Sequence, residues 1–274
     1  MCALALAGAL AMQGVDAPEG SGAAPDTGSS RQADEGASGD PAAGEAAADP
    51  PAGDPGPSAA DPGSAGAPVP APAPAAERTA AEALDALPVK GRAPKTGYDR
   101  RTGFGSGWQD PDRNGCDARN DTLQRDLADA RLDGPCTVLS GVLLDPYTGA
   151  RIDFVRGERT SQAVQIDHVV ALSDAWQKGA QALTREQRVV FANDPLNLLA
   201  VDGAANSSKG DGDAATWLPP ERGIRCEYVA RQISVKASYG LWVTAAERDA
   251  MRRVLTSCPG QPAYESPLAG AETG

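Results

Sequence analysis

Every aromatic side chain follows residue 90: four Trp, five Tyr and three Phe, the first of them Tyr98. The preceding third of the chain has no large ring around which to build a core. Residues 1–90 hold 13 Pro and 12 Gly, and 13 acidic against 3 basic side chains. So little apolar surface cannot offset the loss of chain entropy, so this tail is expected to be disordered. Residues 91–260 suffice for one ordinary domain around one core. They carry 22 acidic and 22 basic side chains, whereas the whole chain carries a formal charge of −12. The acidity therefore belongs mostly to the tail and does not argue against a polyanionic partner of the domain.

Residues 1–12 form an apolar run too short to cross a bilayer. The run has the length of a signal-peptide core but no positive segment before it. Cys2 has the look of a lipoprotein attachment cysteine, which points to an extracellular or cell-surface anchored protein. Residues 13–90 read as a linker rich in Ala, Pro, Gly and Asp. It passes through the extended alternation Pro68-Val69-Pro70-Ala71-Pro72-Ala73-Pro74. Within it, residues 77–90 read as a short helix, with Ala81, Leu84, Ala86 and Leu87 at helical spacing. Residues 261–274 are expected to be flexible. The domain holds Cys116, Cys136, Cys226 and Cys258, an even number behind an export-like segment, which suggests two disulfides. Of three pairings, Cys116–Cys136 and Cys226–Cys258 are favoured, because each pair brackets one expected helix and closes a local loop. No C-x-x-C pair is present to suggest a zinc knuckle or a thioredoxin-type site.

Inside the domain, Asp117–Arg131 reads as a helix and Thr137–Leu144 with Arg151–Phe154 as a β-hairpin around Asp145-Pro146-Tyr147-Thr148-Gly149. Val164–His168 is strand-like. Val170–Gly179 is helical, and Thr184 caps a helix over Arg185–Ala192 with Gln187 in the capping-box position. Leu196–Val201 is a short apolar segment, followed by a helical turn from Asp202 or Gly203. Cys226–Ser238 and Ala245–Leu255 are the last helices, the second capped by Thr244. Strands come early and helices late, which indicates an α+β fold.

The chain has a single histidine. That count excludes zinc sites with two or three His ligands and schemes with separate His acid and His base. No G-x-S-x-G elbow supports a serine triad. The lone histidine sits in Gln165-Ile166-Asp167-His168, where a carboxylate suited to a hard cation precedes an imidazole able to take a proton from water. Asn197 follows in an Asn-Leu-Leu context. In Asn206-Ser207-Ser208-Lys209, a neutral oxygen ligand lies one helical turn from an ammonium group.

The set Asp167-His168, Asn197, Asn206-x-x-Lys209 resembles an HNH endonuclease of the His-Me finger class. More closely it resembles a secreted HNH family, formerly a domain of unknown function, related to the C-terminal nuclease domain of a type IV restriction enzyme. Gly97-Tyr98-Asp99-Arg100, Cys116-x-x-Arg119-Asn120, Asp145-Pro146-Tyr147, Trp217-Leu218-Pro219-Pro220 and the four cysteines are similar to that family too. The resemblance spans most of residues 91–260. It implies a ββα-metal core elaborated with helices and preceded by the disordered tail.

Residue by residue, the resemblance implies that His168 is the general base and that Asp167 and Asn206 are metal ligands. Asn197 would brace the loop carrying His168, and Lys209 would contact phosphate. Asn206 stands where such motifs often have His, and Asp211 or Asp213 is a further candidate ligand. The all-oxygen donor set favours Mg²⁺ or Mn²⁺. Arg100 and Arg119 are candidate nucleic-acid contacts. The four tryptophans read as core residues more readily than as stacking platforms. The expected protein is a monomeric, metal-dependent endonuclease of low sequence specificity. DNA is the first substrate, RNA is left open, and there is no small-molecule cofactor. The alternative is a non-catalytic cell-surface binding domain that keeps the fold.

Overall fold

A computed structural model describes residues 73–270, Arg159 excepted. The apolar run 1–12, Cys2 and the linker as far as residue 72 lie outside the described residues, as do residues 271–274. Strand β1 (Pro74–Thr79) leads into α1 (Ala80–Ala86), followed by α2 (Arg100–Phe104) and α3 (Ala118–Asp126). An antiparallel meander β2 (Ala128–Asp133), β3 (Thr137–Leu144) and β4 (Arg151–Val155) comes next. Then come β5 (Val164–His168), α4 (Leu172–Gln177), α5 (Arg185–Ala192), β6 (Leu198–Asp202) and α6 (Gly203–Lys209). Helices α7 (Arg225–Ser238) and α8 (Ala245–Leu255) precede β7 (Pro262–Tyr264), which pairs with β1. The fold is α+β, as the order of patterns indicated.

The antiparallel pair β5–β6, in register from Val164↔Asp202 to His168↔Leu198, is the wall shared by two cores. Alternation along a strand sends neighbouring side chains to opposite faces. Ile166, Leu198 and Ala200 face a core built with Leu123, Val138, Leu143 and Phe154. Leu199 and Val201 face the other, with Tyr147, Tyr228, Ile233 and Met251. A third cluster, around Phe104, Phe191 and Leu241, packs α2, α4 and α5 together.

Several boundaries differ from the sequence reading. The folded body begins before residue 91, because α1 buries Ala80, Ala83 and Leu84 in the core beside α7 and α8. Its start is fixed by a capping box between Thr79 and Glu82. The body also extends past residue 260: β7 pairs with β1, and the hydroxyl of Ser266 hydrogen-bonds to the Asp194 carboxylate. Helix α3 stops at Asp126 rather than Arg131. Residues 128–133 pair with β3 instead, and Leu127 at the bend lies against Gly141, where an added Cβ would sit 2.9 Å from the Leu127 Cβ. In the β3–β4 connection, the Asp145 carboxylate accepts from the Thr148 amide at 2.8 Å and Gly149 adopts φ +74°. The other Asp145 oxygen accepts from the Asp202 amide at 2.9 Å, tying this turn to the start of α6.

Both expected disulfides are present, Cys116–Cys136 and Cys226–Cys258. The second closes a loop of 32 residues and ties the start of α7 to the segment after α8. Loop-closure entropy for that length corresponds to about 3–4 kcal/mol. Replacing Cys226 and Cys258 together by Ser should lower the unfolding free energy in urea by roughly that amount. An unchanged urea midpoint would show that the loop is already constrained without the bond.

Candidate active site

Asp167 and His168 end β5 and so point to opposite faces of the β5–β6 wall. His168 emerges where the Leu123–Phe154 core meets the surface and is 7 % exposed. Its Nε2 lies 2.8 Å from the carbonyl oxygen of Ala192 at the end of α5. A carbonyl oxygen only accepts, so Nε2 carries the proton and Nδ1 is the acceptor of a neutral ring. The Trp108 indole stacks on the imidazole, with ring centroids 5.7 Å apart and planes inclined by 11°. A recess of about 40 Å³ beside the ring is lined by Arg100, Phe104, Trp108, Leu172 and Asn193. A water molecule needs only about 10–15 Å³ on this measure.

Burial, and after it the nearby Arg100 guanidinium, lowers the His168 pKa to about 3, against the opposing effect of the Ala192 hydrogen bond. The resting imidazole is therefore neutral throughout the physiological range.

The backbone after His168 is clamped by Asn197, which is fully buried. Its side-chain oxygen accepts from the Val170 amide at 2.8 Å, and its own carbonyl accepts from the Val169 amide at 2.8 Å. Its Nδ2 lies 3.4 Å from the carbonyls of Val170 and Phe191. One carboxamide thus joins the exit of β5 to the entry of β6 and to the end of α5, whose next carbonyl holds the imidazole.

On the other face, Asp167 is 4 % exposed. One oxygen accepts from the Tyr147 hydroxyl at 2.5 Å and the other from Lys209 Nζ at 2.8 Å. The same ammonium donates to the His168 carbonyl at 2.8 Å. Lys209 is thus turned inward from the last turn of α6, with its side chain fully buried. Asn206, one turn earlier and half-buried, donates from Nδ2 to Gln165 Oε1 at 2.8 Å. Gln165 and Asp167 share a face of β5, so Asp167 and Asn206 lie along one strand–helix seam. Both Asp167 oxygens are engaged, by Tyr147 and Lys209, so an ion would have to share Asp167 with the ammonium or displace it, and no group of three or more His, Cys, Asp or Glu among the described residues is arranged to hold one.

Other candidates lie elsewhere. Asp213 is bonded to Lys178 and Arg92, each at 2.7 Å, and Asp211 to Ser173 at 3.0 Å, so both carboxylates are engaged away from Asp167. Arg100 lines the His168 recess. Arg119 is buried on α3 and is not presented to solvent. The neighbouring Arg125 donates to the carbonyls of Pro195 and Leu198 and to Asp126. Trp108 and Ala192 were absent from the sequence-derived set. A backbone carbonyl leaves no residue-type signal, and the indole is brought in by a loop distant in sequence. Tyr147 was visible only as part of Asp145-Pro146-Tyr147.

Two comparisons bear on this centre. The family described as the GmrSD restriction endonucleases, C-terminal domain, matches residues 117–254. An uncharacterized secreted protein of Arthroderma benhamiae is 38 % identical over 202 residues, covering 70 % of this chain and 91 % of that protein. No solved structure matches the chain.

Because His168 is the only histidine, its ring protons can be followed by NMR without assignment. They should show no titration between pH 5 and 8. Trp108→Ala, by opening the ring to water, should bring the midpoint up toward 6.5. The unfolded chain protonates near 6.5 and the folded one near 3, so stability falls as pH drops through that window. A wild-type midpoint near 6.5 would show that the ring is not held neutral.

Proposed function

The chain belongs to the family of the GmrSD restriction endonuclease C-terminal domain, and on that premise we propose that it is an HNH-type, metal-dependent endonuclease that hydrolyses DNA. The family is nuclease-related and implies a nucleic-acid partner. Two disulfides and a secreted relative identify an extracellular protein. One observation carries the proposal: the single imidazole is held through Nε2–H by a backbone carbonyl, beside a recess large enough for water. This fixes the tautomer that a general base needs.

In the proposed reaction, Nδ1 of His168 takes a proton from water as its oxygen attacks phosphorus and the bond to the leaving oxygen breaks. Arg100 lines the same recess and in this reading would receive a phosphate oxygen. An incoming phosphate would offset the guanidinium charge that depresses the imidazole, and so raise its basicity where substrate is bound. Asp167 and Asn206 would hold Mg²⁺ or Mn²⁺. Such an ion would supply charge for phosphoryl and leaving oxygens only where the substrate reaches round the end of β5, since Asp167 and His168 point to opposite faces. Lys209 holds the Asp167 carboxylate and the His168 carbonyl in register, and so acts by positioning in this arrangement. Low sequence specificity is part of this proposal, with phosphate contacts supplying most of the affinity.

The full chain should degrade plasmid DNA with Mg²⁺ or Mn²⁺ and stop on addition of EDTA. His168→Ala should lose about 10²-fold or more in rate while keeping its metal affinity by calorimetry. No cleavage by the wild-type chain with either ion would leave the non-catalytic binding domain as the better reading. Asp167→Ala should weaken metal binding and also leave the buried Lys209 ammonium unpaired, at a cost of about 3–5 kcal/mol in urea. Full stability with lost metal affinity would assign Asp167 to the metal alone.

A further inference from the structure

At the N-terminal end of α7, a groove of about 420 Å³ opens between the segment after α6, the start of α7 and the last turns of α8. Its floor is apolar, from Ala214, Leu218, Ala250 and Val254, and its walls carry Arg222, Arg225 and Arg253. Among the described residues, no carboxylate lines it. Glu221, the acid beside Arg222, is turned to the Gly223 amide at 2.7 Å. Arg222 and Arg253 are exposed, and Arg225 is half-buried with its Nε donating to the Pro219 carbonyl at 2.7 Å. The Cys226–Cys258 bond crosses the same region, so the walls bearing Arg225 and Arg253 are covalently fixed relative to each other. None of these residues lines the His168 recess.

Three arginines line this one groove, and their charges suit an anion. The guanidinium fork matches phosphate oxygens. Residues 91–260 are electrically balanced overall, so a polyanion must be met by a local concentration of charge such as this one. We propose that the Arg222–Arg225–Arg253 groove is a second nucleic-acid site, which grips the sugar–phosphate backbone away from the scissile bond. This rests on the nuclease reading above for the identity of the polyanion. The site contributes affinity through contacts to phosphate oxygens, which carry no sequence information.

The test uses full-length chain carrying His168→Ala, which binds without cutting, and a fluorescein-labelled 20-base-pair DNA duplex. Adding Arg222→Glu and Arg253→Glu should weaken binding at least about tenfold at 0.1 M salt. It should also reduce the slope of log affinity against log salt by about two, one for each phosphate no longer neutralised. In the otherwise wild-type chain, the same two substitutions should leave the melting temperature unchanged, and cleavage of a dinucleotide is followed separately with the unsubstituted chain. Equal duplex affinity and equal salt slope with and without the substitutions would overturn the proposal. So would arginine-dependent capture of polyglutamate with no effect on DNA, which would assign the groove to an acidic protein. Failure of the wild-type chain to cleave even the dinucleotide would count against the nuclease reading separately, since the duplex-binding arm does not depend on cleavage.

Discussion

The Lys209 ammonium is the interaction on which the centre depends. Fully buried, it bonds both the Asp167 carboxylate and the His168 carbonyl, and so joins α6 to the end of β5 at the two residues proposed for chemistry. A buried ammonium needs partners in all directions open to it, and these two oxygens, with the Tyr147 hydroxyl bracing the carboxylate from behind, meet much of that need. Asn197 does the equivalent work with neutral groups on the other side of the wall. Between them they fix where β5 ends, and the imidazole orientation follows from that.

A second ionic cluster supports the framework. Lys178 and Lys236 lie among Asp174, Asp213 and Glu247, all nearly inaccessible to water. Burial works against each charge. Even so, Lys236 and Lys178 bring the Asp174 carboxyl below its usual range, and Asp174 and Glu247 hold Lys236 above its own. The cluster joins α4, α7, α8 and the chain after α6, so the segment leaving Lys209 is anchored at Asp213 within a few residues of the centre.

Much of this was legible in the sequence because it is local. Capping boxes at Thr184 and Thr244, the alternation in β3 and β4, and the cysteine pairs each depend on residues a few positions apart or on a short closed loop. The end of α3 was not, because the helical pattern of Leu123, Leu127 and Ala130 continues past Asp126. Only pairing with β3 and the space at Gly141 reveal the bend. At the site, Asp167, His168, Asn197, Asn206 and Lys209 were singled out by residue type together with the family resemblance. What the spacing could not convey was direction. Lys209 faces inward because Asp167 lies within reach, and Arg119 is buried because α3 packs that side against the body. Trp108 joins His168 across a separation of 60 residues, by tertiary packing alone.

The pairing of β5 with β6 is closed by residues 169–197, an excursion that carries α4 and α5, and no tight turn joins the two strands. Drawing the ends of a segment of that length together carries an entropic cost of about 3 kcal/mol beyond a constant term. The contacts that repay it form only when α5 has docked and Asn197 has reached Val170. Long-range closure of this kind slows folding. The imidazole meets the Ala192 carbonyl only at that stage. An incompletely folded chain, such as one in transit across a membrane, therefore contains the histidine but not the geometry that would make it a base.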